Sequence, residues 1–280
     1  MGALDSKVAI VTGGTSGIRE AIAEAFVAQG GKVVVAARRE TEGKALEQRL
    51  GVRFMRTDVA NEADVKAMVA ETLAAFGRLD CLVNNAGMPL PMIGVAEIDA
   101  ATIDQALAVN VRGVIFGIKH AAPELVKQGA GSIINIGSMA GHRGGISGHV
   151  YSASKGAVSA LTRSVAAELG EKGVRVNCIS PGAIVTGIFA KNVGVEGTKA
   201  DRIAGVVKDM FTTIQPVPRA GLPDDIAQAA VFLASDASSF VNGQDILIDG
   251  GHTAVTRGWS FMVAAREAMS KRLREAASAI

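Results

Sequence analysis

The chain has 280 residues, of which 49% are hydrophobic and 20% are charged, and its formal net charge is +2. Such an apolar chain with so little net charge is not globally disordered, and no run of 18 apolar residues indicates a membrane-spanning helix. The N-terminal residues lack the charged and then apolar layout of a secretory signal. We therefore expect a cytoplasmic globular protein with one large domain or two smaller ones.

The cysteines and histidines do not indicate a metal site. Cys81 and Cys178 each lie in a short apolar run, which predicts buried packing thiols rather than a disulfide. The four histidines are scattered and give no spacing typical of zinc ligands. We expect no metal ion.

Short runs rich in Val and Ile predict β-strands that are covered on both faces, because the runs are continuous rather than alternating. The predicted strands are Lys7–Thr12, Lys32–Ala36, Val52–Thr57, Asp80–Asn84, Gly131–Ile136, Val174–Ile179 and Gln244–Ile248. The predicted helices between them are Gly17–Gln29, Glu40–Leu50, Glu62–Phe76, Thr102–Lys127, Tyr151–Glu171 and Pro223–Ala234. This alternation favours one α/β domain over residues 1–255, with a doubly wound parallel sheet of seven strands and helices on both faces.

Residues 186–215 interrupt the alternation, since they contain several glycines and no clear strand. They follow the carboxyl end of a strand, where open α/β sheets bind ligands. We predict a mobile substrate lid here; the alternative is an ordinary long surface connection.

The tail, Thr256–Ile280, contains five basic and two acidic residues, so the chain's net positive charge belongs to the tail. An apolar stripe at helical spacing predicts an amphipathic helix that docks on its own or a neighbouring subunit. The stripe consists of Met262, Ala265, Met269, Leu273 and Ala276. A basic amphipathic helix can also bind membranes or nucleic acid, but nothing else in the sequence supports that interpretation, so we expect neither partner.

A glycine-rich turn follows the first predicted strand and precedes a helix. It reads Thr12-Gly13-Gly14-Thr15-Ser16-Gly17-Ile18. Glycines let the backbone approach a pyrophosphate, and the helix N-terminus supplies free N–H groups and partial positive charge. The turn therefore predicts dinucleotide binding; alone, it could equally be a helix-capping loop.

The end of the second strand favours NADP(H), with NAD(H) as the other possibility. An acidic residue there binds the ribose of NAD, whereas an arginine accommodates the 2′-phosphate of NADP. Ala37 is followed by Arg38 and Arg39, with no carboxylate in that place. The alternative is that these two arginines are solvated charges at a helix start.

Tyr151 is the only tyrosine in the chain, and Lys155 lies one helical turn later on the same face. Ser138 follows the fifth predicted strand, and Asn110 lies in the helix before that strand. The fourth strand closes with Asn84-Asn85-Ala86-Gly87.

Taken together, these motifs resemble the short-chain dehydrogenase/reductase family, in the branch with subunits of about this size. The motifs occur in the family's order, namely the turn from Thr12 to Gly17, Asp58-Val59, Asn84 to Gly87, Asn110, Ser138, Tyr151-x-x-x-Lys155 and Pro181-Gly182. The resemblance covers roughly residues 5–253. It implies a Rossmann-type fold, a nicotinamide cofactor, and hydride transfer between that cofactor and an alcohol or carbonyl carbon.

The resemblance also implies roles for four residues. Tyr151 would be the general acid/base, and Ser138 would hydrogen-bond the reacting oxygen. Lys155 would bind the nicotinamide ribose, and Asn110 would hold a water that links Lys155 to solvent. An ammonium about 4 Å from the phenol at an effective dielectric of ~20 is worth about 4 kcal/mol, which would lower the pKa of Tyr151 by about three units.

The remaining implied roles concern the cofactor. The turn residues Gly13, Ser16, Gly17 and Ile18 would face the phosphates. Asp58 and Val59 would contact adenine, and Asn84, Ala86 and Gly87 would line the cofactor cleft. The segment after the sixth strand would surround the carboxamide with Pro181, Gly182, Ile184 and Thr186.

One residue departs from the family pattern, because Arg19 stands where the turn normally continues with glycine. Its side chain could reach the cofactor phosphates and help, obstruct the site, or be a tolerated or engineered substitution. We expect weakened or altered cofactor binding, so that Arg19→Gly lowers the cofactor dissociation constant.

The helix after Tyr151 is apolar nearly all round, which requires cover by another surface. Family members commonly use this helix to form tetramers, so we expect a homotetramer, with a dimer next. The expected substrate contacts are Met139 to His142, His149, Ile184, Ile188 and Phe189. Their mostly apolar character favours a small hydrophobic ketone or secondary alcohol. A non-catalytic relative that senses dinucleotide or acts as a scaffold is the alternative.

Overall fold

The computed structural model describes residues 2–13, 16–191, 194–195, 197–255 and 258–278. Within them, seven parallel strands form one sheet in the order β3-β2-β1-β4-β5-β6-β7. The strands are β1 (Val8–Thr12), β2 (Lys32–Ala37), β3 (Arg53–Arg56), β4 (Cys81–Asn84), β5 (Gly131–Ile136), β6 (Val174–Pro181) and β7 (Asp245–Ile248). The predicted doubly wound sheet is therefore confirmed.

Helices connect successive strands and cover both faces of the sheet. They are α1 (Ile18–Ala28), α2 (Glu40–Leu50), α3 (Glu62–Phe76), α4 (Ala100–Leu107), α5 (Gly113–Gln128), α6 (His149–Gly170), α7 (Ile188–Lys191), α8 (Gly197–Arg202), α9 (Lys208–Phe211), α10 (Pro223–Ala234) and α11 (Trp259–Ser278). A π-helical turn, Ala108–Arg112, joins α4 to α5 where the sequence predicts one uninterrupted helix.

The core consists of two layers, one on each face of the sheet. In β1, Val11 points into the layer formed with α1, α2 and α10, whereas Ile10 points into the layer formed with α3, α5 and α6. The strands are apolar along their whole length because both faces of the sheet are buried. Cys81 and Cys178 are buried strand residues with free thiols, as predicted, and burial raises the pKa of each thiol to about 12.

The segment Ala100–Gln128 is long and apolar enough to cross a membrane by length and composition. This was not expected, because its apolar residues are interrupted and only a windowed average reveals them. Here α5 packs against α3 and places Val114, Ile118 and Leu125 in the core. The apolar character of the segment thus has a structural explanation within the fold.

The predicted lid forms short helices, namely α7, α8, a 3₁₀ turn at Ala204–Val207 and α9, and no strand is present in its described residues. The tail forms the predicted helix as α11, but apart from half-buried Ser270 its described side chains are exposed. It does not dock on its own domain as one expectation had it. Some residues of the predicted turn and tail lie outside what the structure describes, namely Gly14, Thr15, Thr256, Arg257 and the side chain of Ala276.

Candidate active site

A cavity of about 390 Å³ opens at the carboxyl ends of β1, β5 and β6, and a smaller one of about 60 Å³ lies beside it at the ends of β2 and β3. Open α/β sheets bind ligands at this edge. Gly13, Arg19, Arg38 and Gly87 line both cavities. The two cavities are therefore adjoining parts of one cleft.

The turn after β1 brings two backbone segments close together. Gly13 has a φ of +115°, and a Cβ added there would lie 2.7 Å from the Cα of Ala86, so no side chain fits. The Thr12 hydroxyl accepts hydrogen bonds from the backbone N–H groups of Asn85 and Ala86 at 3.1 and 3.2 Å. Thr12, which the motif did not single out, thus joins the ends of β1 and β4.

The remaining described residues of the turn face the larger cavity. Ser16, Gly17 and Ile18 line it. Gly17 has a φ of +64°, and a Cβ there would lie 3.0 Å from the Thr186 side chain. The turn and the segment after β6 thus form opposite walls of the cleft.

The two arginines after β2 have different surroundings. Arg38 is exposed at the junction of the cavities. Arg39 donates to the Ser16 hydroxyl at 3.3 Å and pairs with Glu42 at 3.0 Å and with Asp201 of α8 at 3.7 Å. The positive charge at this end of the cleft is therefore partly balanced by a lid carboxylate.

Besides Gly13 and Arg38, the smaller cavity is lined by four more of the predicted cofactor residues, Asp58, Val59, Ala86 and Gly87. Asn84 is placed differently: it is buried under the sheet edge and donates to the Asn135 amide oxygen at 3.0 Å. Its neighbour Asn85 lines the larger cavity instead. The strand alternation turns adjacent asparagines to opposite sides, which the motif alone does not show.

Ser138, Tyr151 and Lys155 line the same wall of the larger cavity. Ser138 follows β5 in an extended conformation, and its hydroxyl caps the next 3₁₀ turn by accepting from the Ala140 N–H. Tyr151 and Lys155 lie one turn apart on α6, with the Lys155 Nζ 5.8 Å from the centroid of the tyrosine ring. The predicted helical spacing does bring these side chains to one face.

The electrostatics of the pair differ from the expectation that Lys155 makes the phenol acidic. Burial raises the pKa of Tyr151, whereas a hydrogen bond with Ser138 and the charge of Arg19 oppose that rise. Lys155 donates to the Ile136 carbonyl at 2.7 Å, and burial lowers its own pKa to about 8. The groups that oppose the effect of burial on the phenol are thus Ser138 and Arg19, and not the predicted Lys155.

Asn110 is completely buried in the π-helical turn. Its side chain accepts from the Met88 N–H at 2.7 Å and donates to the Met88 carbonyl at 3.1 Å and to the Ser154 hydroxyl at 3.2 Å. These bonds fix the loop after β4 against α6. A bridging role toward Lys155 stays a prediction.

Arg19 extends from α1 across the cleft floor. Its Cδ would lie 3.0 Å from a Cβ on Gly13, and its Nη2 donates to the Gly87 carbonyl at 3.4 Å. Burial and the neighbouring charges of Arg39 and Arg38 lower its pKa. The side chain therefore stands between the two cavities.

The substrate side of the cavity differs in part from the predicted contacts. Met139, Ala140, Ile184, Ile188 and Phe189 line it, but Gly141, His142 and His149 are not among its lining residues. His142 instead hydrogen-bonds Asp245 at 2.9 Å and Ser180 at 3.2 Å. The lining residues that the motifs missed include Met88, Pro89, Leu90, Ile146 and Ser147 in neighbouring loops and Asp201 on α8.

Comparison of the sequence with known proteins agrees with a site of this kind. A family model described as "Enoyl-(Acyl carrier protein) reductase" matches residues 13–253. The short-chain dehydrogenase reductase ATA1 of Arabidopsis thaliana is 40% identical over 92% of the chain and 97% of its own length. The chain belongs to the short-chain dehydrogenase/reductase family.

Two further relatives of this family have names that state an activity. Tropinone reductase-like 2 of Erythroxylum coca is 41% identical over 90% of the chain and 92% of its own length. L-fucose dehydrogenase of Mus musculus is 44% identical over 88% of each chain. The protein is thus an NAD(P)-dependent oxidoreductase of the short-chain dehydrogenase/reductase family that acts on CH–OH or C=O groups.

The described residues fit a nicotinamide dinucleotide. The Gly13 backbone forms a cradle that any Cβ would fill. The buried Asn85 side-chain nitrogen, in a residue that lines the larger cavity, has no hydrogen-bond partner within the described ranges. Arg38 and the backbone at Pro181, Gly182, Ile184 and Thr186 complete the lining. In this short-chain dehydrogenase/reductase, the Arg19 side chain lies between the two cavities.

Proposed function

We propose that the protein interconverts a ketone and a secondary alcohol of a small, mostly apolar substrate and uses NADP(H) in preference to NAD(H). The observation that carries this proposal is the meeting of Ser138, Tyr151 and Lys155 on one wall of a cavity that continues to Arg38. Proton transfer, oxygen binding and phosphate binding are thereby available along a single cleft.

In this proposal the chain's own residues transfer the proton and bind the substrate oxygen. The Tyr151 hydroxyl gives its proton to the carbonyl oxygen in reduction, and in oxidation the Tyr151 phenolate accepts the proton of the alcohol. The Ser138 hydroxyl donates to the same oxygen and holds it beside the phenol. A bound nicotinamide dinucleotide supplies or accepts the hydride. Lys155 contributes a cation below Tyr151 when it is protonated.

The preference for NADP(H) rests on the end of β2. Arg38 is exposed at the junction of the cavities, and no carboxylate follows Ala37 at the place where a ribose 2′-hydroxyl would be bound. Guanidinium groups form bidentate, charge-assisted hydrogen bonds with phosphates. The pairing of Arg39 with Asp201 leaves Arg38 as the main candidate for a 2′-phosphate.

The substrate class rests on the lining, because the relatives' names do not agree on one substrate. Leu90, Met139, Ile146 and Phe189 provide apolar surface around the catalytic wall. The Phe189 ring packs edge-on against Phe211 of α9, with ring centroids 4.8 Å apart. An apolar carbonyl compound would bury surface there, whereas a polyhydroxylated one would leave its hydroxyls without partners.

The first prediction concerns cofactor choice. We expect kcat/KM for NADPH to exceed that for NADH on a panel of ketones, measured by the absorbance of the reduced nicotinamide. A charge-assisted hydrogen bond of about 1.5–3 kcal/mol corresponds to a preference of about ten- to a hundredfold. Arg38→Ala should remove most of it, and Arg56→Ala, an exposed arginine at the end of β3, is the control.

Two results would contradict the proposal. Equal use of both cofactors by the unaltered enzyme would remove the role of Arg38. Tight dinucleotide binding with no turnover across a broad panel would favour the alternative of a dinucleotide sensor.

A further inference from the structure

Arg19 lies at the reaction centre rather than at the surface of α1. It is half-buried, although it stands in the first turn of a helix whose next residue, Glu20, pairs with the exposed Arg49. Its stem passes over Gly13 and its guanidinium ends at Gly87. The side chain is therefore held inside the cleft.

Gly87 places two cations near each other. The Arg19 Nη2 lies 3.4 Å from the Gly87 carbonyl oxygen, and the Lys155 Nζ would lie 3.7 Å from a Cβ on Gly87. Tyr151 lines the same cavity as both. Thus the phenol shares its cavity with a guanidinium from α1 as well as with the ammonium on its own helix.

The two cations near the phenol differ in their hydrogen-bond partners. Lys155 is committed to the Ile136 carbonyl at 2.7 Å, whereas the hydrogen bond of Arg19 to Gly87 is long, and the described residues give it no carboxylate partner at bonding distance. Other charged or titratable groups also face this region, namely Arg38 and Arg39 after β2, Asp201 on α8 and Cys178 on β6.

We propose that Arg19 is a positioning residue for the acid/base step, in which its guanidinium stabilises the anionic form of Tyr151 from across the cleft. A cation near a phenol favours the phenolate because the opposite charges attract, and the partly enclosed cleft screens them less than bulk water does. Arg19 thereby takes over part of the electrostatic role that the family resemblance assigns to Lys155.

The titration behaviour of the groups agrees with this geometry. Burial raises the pKa of Tyr151 and lowers that of Arg19, and the attraction between the two groups opposes both shifts. The same guanidinium also lowers the pKa of Lys155, beyond the larger effect of burial. A charge at Arg19 thus shifts both groups in the direction that favours phenolate and neutral amine.

The inference rests on the proposed function only in treating Tyr151 as the acid/base. Its test needs neither cofactor nor substrate, because Tyr151 is the only tyrosine in the chain. Tyrosinate absorbance therefore reports this phenol alone. An enzyme that fails to reduce ketones could still show the coupling between Arg19 and Tyr151, and an enzyme that reduces ketones could lack it. Failure of the inference is therefore distinguishable from failure of the proposed function.

The experiment is a pH titration of tyrosinate absorbance in the full chain and three variants, with circular dichroism at each pH to verify the fold. Arg19→Met removes the charge and keeps the stem, and we expect it to raise the Tyr151 midpoint by about half a pH unit or more. Arg19→Lys should stay closer to the unaltered chain. Arg38→Met, which removes an exposed arginine of the same cleft, should shift the midpoint less than Arg19→Met does.

A second measurement covers any pH at which a variant loses its fold. The pH profile of kcat/KM for alcohol oxidation should move upward in Arg19→Met relative to the unaltered enzyme. Unchanged midpoints and profiles in Arg19→Met would overturn the proposal. An equal shift in Arg38→Met would also overturn it, since the effect would then come from the general positive potential of the cleft.

Discussion

Lys155, to which we assign a functional role, is also a cost to the fold. Only 4% of it is exposed, and its ammonium has a backbone carbonyl as partner rather than a carboxylate. Burial of a charge in such a site is unfavourable, and it lowers the pKa of Lys155 from 10.5 to about 8. The folded protein therefore holds this proton less tightly than the unfolded chain does.

The sign of the pH dependence follows from that shift. Below pH 8 the lysine is charged in both states and its burial lowers the free energy of unfolding by about 3 kcal/mol. Between about pH 8 and pH 10.5 the unfolded chain holds more protons, so this cost disappears as the pH rises. We expect Lys155→Met to be more stable than the unaltered protein at pH 7, by an amount that shrinks toward pH 10.

Urea unfolding at pH 7 and pH 10 measures this difference, and Lys66→Met, at an exposed lysine of α3, is the control. The hydrogen bond to Ile136 that the variant loses reduces the gain at both pH values, and it reduces it more at pH 7, where the donor is an ammonium. A difference in stability that does not change with pH would contradict the prediction.

Sequence motifs identified many of the residues that line the cleft, but they did not show how three candidate side chains are oriented. Asn84 turns away from the cavity, Arg19 crosses it, and His142 points to Asp245. Each orientation depends on a partner that is distant in the sequence. A motif conveys residue type and order, so such long-range contacts become visible only in the folded chain.

At the scale of elements, a buried polar chain connects the sheet to the catalytic helix. The Asn135 amide accepts from Asn84 of β4 and donates to the Thr162 hydroxyl of α6 at 2.9 Å. Thr162 in turn donates to the Val158 carbonyl at 2.8 Å. These bonds fix α6, and with it Tyr151, relative to β4 and β5.

We expect Asn135→Ala to lower the free energy of unfolding by about 2–3 kcal/mol, because it leaves buried partners unsatisfied. It should also lower kcat, since α6 loses its connection to the sheet. Ser132→Ala is the matched control: Ser132 is buried on the same strand but bonds to the Leu233 carbonyl. Equal kcat values in the two variants would show that the polar chain does not position α6.

Except at the end of β6, strand ends could be predicted to within one residue, because a parallel sheet requires continuous apolar runs. Two departures from the predicted elements have local causes. β6 continues to Pro181, two residues beyond its apolar run, since Ser180 and Pro181 pair with Leu247 and Ile248 of β7. The π-helical turn around Asn110 depends on the bonds between its side chain and Met88, which helical periodicity does not reveal.

At the scale of the whole molecule, α6 leaves a stripe of small residues uncovered. Ala153, Ala160 and Ala167 recur at intervals of seven and are exposed, in place of the complete burial expected for this helix. Small side chains allow a second helix to approach closely. We propose that this face is covered in a homotetramer, with a dimer as the alternative.

Light scattering should then give a mass four times that of the 28.7 kDa chain. Ala160→Glu should reduce the mass by placing a charge in the helix contact. Ala45→Glu, an exposed alanine on α2, is the matched control and should not. A monomeric mass for the unaltered chain, or equal dissociation of both variants, would contradict the assembly.

The central claim is that one phenol moves the proton during hydride transfer. The most direct measurement is the single-turnover rate of NADPH oxidation with a ketone in the unaltered enzyme and in Tyr151→Phe, alongside the dissociation constant of NADPH. We predict a rate loss of about 10²- to 10⁴-fold with little change in NADPH binding. A Tyr151→Phe enzyme that reduced the ketone at the unaltered rate would contradict the account.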